Sequence, residues 1–69
     1  MEKKVLKATT KLWKKAVDEE LLDDVVAEVA LGAHYAKLAL DGTVELTDSG
    51  AEKVETAHEA LTDLLGEDD

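Results

Sequence analysis

Lys7, Lys11 and Lys14 recur at i, i+4 and i+7, so a helix drawn through them carries three ammonium groups along one face. Lys3, Lys4 and Lys15 lie close by, and Leu12 and Trp13 fall on the other side. Such a face can meet nucleic-acid phosphates, an anionic membrane surface or an acidic groove on another protein. Two features count against the first two uses. Every basic residue is lysine, which lacks the forked geometry that arginine uses to read guanine. Residues 16–69 set Lys37 and Lys53 against sixteen acids, a charge of −14 that repels phosphate and anionic lipid within a screening length of about 8–10 Å. Residues 1–15 hold six lysines against Glu2, a charge of +5, so the net −9 conceals a basic arm on an acidic body. The plain alternative is that the lysines face the chain's own acids or solvent.

Catalytic chemistry finds little material. There is no cysteine, no glycine-rich phosphate loop, and one serine, Ser49, which sits where a helix cap is due. His58 follows Glu55 by three positions, a spacing used in di-iron bundles, but those need a second such motif. His34 is preceded by Ala30 and Leu31 and has no such carboxylate. The acidic runs Glu19–Glu20 and Asp23–Asp24 lack the alternating acids and central glycine of a calcium loop. No catalytic, cofactor-binding or metal-ligating set is assigned, and the expectation is a protein that is not an enzyme and uses no cofactor. The acidic surface could mimic nucleic acid, though a solvated face is the commoner use of such charge.

The elements that would hold these groups belong to one small domain. A 69-residue chain buries only about 60% of the surface it exposes when unfolded, and no disulfide reinforces this one. Self-association is the remaining route to extra burial. No run approaches the roughly 18 apolar residues of a membrane span, and the basic start runs into Thr9, Thr10 and Lys11 rather than a signal-peptide core. A cytoplasmic location is the default expectation.

Val5, Thr9, Leu12 and Ala16 follow helical spacing and predict a basic helix over 3–17. Its seam then meets Glu19, Glu20 and Asp23, and Asp18 suits an N-cap, so the helix is expected to break near Asp18. A second helix is expected over 18–31, with Leu22, Val26 and Val29 as its stripe and Gly32 as its C-cap. The stripe also continues through Ala33, Ala36 and Leu40, so a helix crossing Gly32 is the competing reading. In that case Gly32→Ala should stabilise the chain by up to roughly 1 kcal/mol. What favours the break is Asp41-Gly42-Thr43, read as a hairpin loop that sets Leu40 opposite Val44 and Leu38 opposite Leu46, in a hairpin over 37–47. The last helix is expected over 49–65, with Ser49 and Glu52 as a capping box, Thr47 and Asp48 as competing caps, and Val54, Ala57, Leu61, Leu64 and Leu65 inward. Gly66 should end it. The small residues Ala30, Gly32, Ala33, Ala36 and Ala39 would let another backbone approach closely, within the fold or across a dimer.

Seven residue types are missing: Arg, Asn, Gln, Ile, Phe, Pro and Cys. So short an alphabet makes a designed or simplified sequence without a natural task one of the readings to carry.

The stretch YAKLALDGTVELTDSGAEKV, from Tyr35 to Val54, resembles the wing and following helix of winged-helix transcriptional regulators. Leu46, Thr47, Asp48, Ser49 and Gly50 match the family's pattern of a Leu-Thr pair, two polar residues and a glycine at the end of the wing. The likeness covers under a third of the chain. It implies a recognition helix ahead of the hairpin, and the segment from Ala33 to Leu38 offers only His34, Tyr35 and Lys37 for that role.

The sequence thus predicts an all-α or α-dominated fold, three helices with a short β-hairpin before the last. The function expected first is a small protein–protein binding module, partnered by another protein or by itself as a homodimer. Lys7, Lys11, Lys14, Trp13, Leu21 and Val25 are its candidate contact residues. The second expectation is a winged-helix-like DNA-binding regulator that uses the lysines of the first helix.

Overall fold

A computed structural model describes residues 2–66 and contains three α-helices: α1 (Lys3–Asp18), α2 (Ala27–Leu40) and α3 (Asp48–Leu65). A single 3₁₀ turn, Leu22–Asp24, lies between the first two. Each helix packs against the other two. The fold is all-α.

α1 matches its spacing. Leu6, Thr9 and Ala16 are buried along one side, and Val5, Leu12 and Trp13 are half-buried beside them. Thr9 is fully buried because its hydroxyl donates to the Val5 carbonyl one turn back, 2.8 Å away, and so enters the core without a lost hydrogen bond. The helix stops where expected, but by a different device. Asp18 is its last residue rather than the cap of a second helix. The Glu20 N–H donates to the Val17 carbonyl and the Leu21 N–H to the Ala16 carbonyl, the paired bonds of a Schellman stop. Glu20 takes the left-handed position, with φ 56°, where glycine is usual.

The expected helix over 18–31 is not present. Leu22–Asp24 make one 3₁₀ turn, Val25 and Val26 are extended, and α2 begins at Ala27 without a side-chain cap. α2 then passes straight through Gly32 and buries Val29, Gly32, Ala33 and Ala36. Gly32 is a contact and not a stop. A Cβ there would collide with the Lys53 carbonyl oxygen and lie 2.8 Å from the Ala57 Cβ, so its absence is what allows α2 to cross α3 so closely. The run of small residues therefore serves packing inside the fold.

Among the described residues no strand forms, and the hairpin over 37–47 is absent. Residues 37–40 complete α2. The Gly42 N–H donates to the Ala39 carbonyl at 3.1 Å and the Thr43 N–H to the Leu38 carbonyl at 2.9 Å, again a Schellman stop. Gly42 has the left-handed conformation expected of it, φ 80°, but it closes a helix rather than a loop between strands. An isolated two-stranded hairpin is marginal at best, whereas four helical residues here put Ala39 and Leu40 on the core. Residues 43–46 cross without regular structure, and half-buried Leu46 packs beside Val54.

At α3 the competing cap wins. Thr47 Oγ1 accepts from the Gly50 N–H at 3.2 Å, and Ser49 is an exposed residue within the first turn. Starting one residue earlier places Asp48 in that turn, where a carboxylate favours the helix dipole. Val54, Ala57 and Leu61 face inward, and Gly66 ends the helix with φ 67°.

The core has two parts. Ala16, Val29, Ala33, Ala57 and Leu61 form one, flanked by Trp13, Leu21, Val25 and Leu64. Leu6, Ala36 and Val54 form the other, flanked by Val5, Tyr35, Leu40 and Leu46.

Candidate functional site

The candidate contact residues divide between two places. Lys7, Lys11 and Lys14 are exposed on the outer side of α1, as are Lys3, Lys4 and Lys15. Lys3 and Lys4 stand in the first turn, at the end where the helix dipole disfavours cations, and only Lys15 lies in the favourable last turn. Lys3 and Lys4 therefore draw no stabilisation from the dipole of α1. Trp13 is half-buried and packs on the core part that contains Ala16 and Leu61.

Leu21 and Val25 are half-buried and pack on that same part. Their chain neighbours point the other way: Leu22 is 40% exposed and Val26 63% exposed. The Schellman stop at Glu20 turns Leu21 inward, and the extended backbone at Val25 and Val26 sends consecutive side chains to opposite sides.

Beside Val26 lies an open cleft of about 380 Å³. Val25 and Val26 just ahead of α2 and Val29 in its first turn line it on one side, and Ala60, Leu61 and Leu64 from the second half of α3 on the other. Exposed Asp24 and Asp63 complete the lining, so the cleft is aliphatic with two carboxylates. Of the six candidate residues, the structure brings Val25 into this cleft. The spacing of Leu61 and Leu64 marks them as an apolar stripe, but nothing in the sequence says that Val26 would stand beside it. The one available signal is the pair Val25–Val26 ahead of a helix, of which only one member can face the core.

A second cleft, of about 430 Å³, is polar and lined chiefly by Glu28, Glu52, Glu55, Glu59 and Lys53. Among the described residues no three His, Cys, Asp or Glu side chains are placed to hold a metal ion. His34 is exposed on α2, and His58 is half-buried on α3, where its carbonyl accepts from the Thr62 hydroxyl. No helix among the described residues is long and apolar enough to cross a membrane. Comparison with protein families, with curated proteins and with solved structures finds no match.

Proposed function

We propose that this chain is a small non-enzymatic binding module that acts through protein–protein contacts, with the cleft between Val26 and Leu64 as its contact surface. The observation that carries this reading is the 63% exposure of Val26 at the side of an aliphatic cleft. A chain this short has little apolar surface to bury, and Val26 and the cleft beside it add little burial to the fold until something covers them. A partner's apolar side chains would replace the water there, and such burial is the main source of affinity in protein association.

The test is a selection of displayed peptides on the intact chain, with Val26→Lys as the counter-target. Val26 is exposed, so the substitution leaves the fold in place, which far-UV circular dichroism verifies. Peptides enriched on the unmodified chain should lose binding to Val26→Lys. Pools that bind both chains equally, or no enrichment at all, would refute the reading.

The second reading, a DNA-binding regulator that uses α1, is favoured by Lys3 and Lys4, which stand against the helix dipole and so gain nothing for α1. It predicts duplex binding that weakens with salt and whose slope becomes shallower by about 0.9 for each lysine–phosphate contact removed in Lys7→Gln, Lys11→Gln and Lys14→Gln. Absence of duplex binding near physiological salt sinks it.

A further inference from the structure

We infer that the occupant of the cleft is a cationic amphipathic segment of another protein, with aliphatic side chains seated between Val26 and Leu64 and lysine or arginine head groups against Asp24 and Asp63. The inference rests on the proposed function and adds the chemistry of the partner. Three observations select it.

The first is the lining itself. Asp24 and Asp63 are exposed carboxylates on an otherwise aliphatic cleft, so a segment laid in it brings its flanking side chains to two negative charges. An acidic or neutral segment would desolvate these carboxylates without a counter-charge; a cationic one would not. The second is the surrounding field. Residues 16–69 carry −14, which favours approach of a cation over the last screening length or so.

The third removes a second copy of this chain. Two copies that met cleft to cleft about a two-fold axis would bring Asp24 and Asp63 of both into one interface, on bodies that already repel. A head-to-tail arrangement would need a segment offering aliphatic and cationic side chains together. The one lysine-rich segment is α1, whose apolar side is taken up by the fold through Leu6, Thr9 and Ala16, which leaves Val17 as its one exposed large apolar side chain, too little to fill an aliphatic cleft. Residues 67–69 are Glu67, Asp68 and Asp69 and offer no apolar side chain.

The test uses the full chain and three labelled peptides of the same helical length. One carries leucines at i, i+3 and i+7 with lysine elsewhere, the second has glutamate in place of lysine, and the third keeps lysine but has alanine in place of leucine. Binding is read by fluorescence anisotropy against the unmodified chain, Val26→Lys, and the double variant Asp24→Lys/Asp63→Lys. The altered positions are all exposed, and circular dichroism verifies each fold. The leucine–lysine peptide should bind, and Val26→Lys should abolish that binding. The double charge reversal should weaken it roughly tenfold or more and transfer preference to the leucine–glutamate peptide.

Equal binding of the alanine–lysine peptide would reduce the effect to attraction toward an acidic body and overturn the inference. Equal binding of the leucine–glutamate peptide to the unmodified chain would overturn it while leaving a protein-binding cleft in place. A dimer in sedimentation that Val26→Lys dissolves would assign the cleft to a second copy, again overturning the inference alone. No peptide binding by a monomeric chain would remove both the inference and the proposed function.

Discussion

Replacing Gly32 with alanine opposes two effects of known sign at one position. Gly32 lies inside α2, and alanine in a helix interior is favoured over glycine by about 1 kcal/mol. Against this, the added Cβ would collide with the Lys53 carbonyl oxygen, and the Ala57 Cβ would be only 2.8 Å away. The carbonyl belongs to the middle of α3 and is held in its helix, so no side-chain rotation relieves the clash. α2 and α3 must instead move apart, which loosens Val29, Ala33, Ala57 and Leu61 together. Overpacking of this kind costs about 1–3 kcal/mol, and a backbone obstacle belongs at the upper end. The net effect expected is a loss of about 1–2 kcal/mol. At roughly 4–8 °C per kcal/mol for a domain this size, Tm should fall by about 5–15 °C. Thermal and urea unfolding followed at 222 nm measure it. Adding Ala57→Gly removes the methyl contact but not the carbonyl, so rescue should be slight. A raised Tm in Gly32→Ala, or full rescue by Ala57→Gly, would refute the close crossing.

Glu20→Gly should stabilise the chain by up to about 1 kcal/mol, since it relieves a left-handed φ of 56° in a side-chain-bearing residue; the urea midpoint reads this, and a fall would show that the glutamate has a compensating contact. Thr47→Ala should cost about 1 kcal/mol through loss of the cap on the Gly50 N–H, whereas Ser49→Ala should stay within about 0.5 kcal/mol; the reverse order of midpoints would restore Ser49 as the cap. Half-buried Trp13 should emit to the blue of free tryptophan and resist iodide, and Lys7→Gln, Lys11→Gln and Lys14→Gln together should leave that emission unchanged; ready quenching would mean that α1 is undocked.

What the sequence disclosed depended on whether a signal had one structural meaning. Val5, Thr9 and Ala16 have helical spacing and no competing period, so α1 was legible almost to the residue, as was the inward stripe of α3. The break after Asp18 was visible as charge arriving where an apolar residue was due, although its left-handed residue carries no glycine to announce it. Asp41-Gly42-Thr43 had two meanings. A glycine with positive φ closes a hairpin loop and a Schellman stop alike, and the choice lies in whether Leu38 and Ala39 offer their carbonyls to Thr43 and Gly42 or to a strand. Gly32 was ambiguous in the same way, because a glycine that ends a helix and one that admits a neighbouring backbone look identical until Lys53 is beside it. The start of α2 gave no signal, since Val26 caps nothing with its side chain. The cleft was illegible for a related reason. Its two walls are more than thirty residues apart, and periodicity assigns each wall an inward face without saying which walls leave a gap.

Among the described residues, Ala16, Ala33, Ala36 and Ala57 make up half of the eight buried apolar ones. A core built on methyl groups draws much of its cohesion from how near the helix backbones approach, and dispersion falls away steeply over the first ångström of separation. Long side chains can keep touching as a protein dilates; these cannot. Dilation of the folded chain would therefore lose the contacts of these four before those of Leu6 and Leu61. Under acid the chain should pass from native packing to an open coil without a compact, dye-binding form between them.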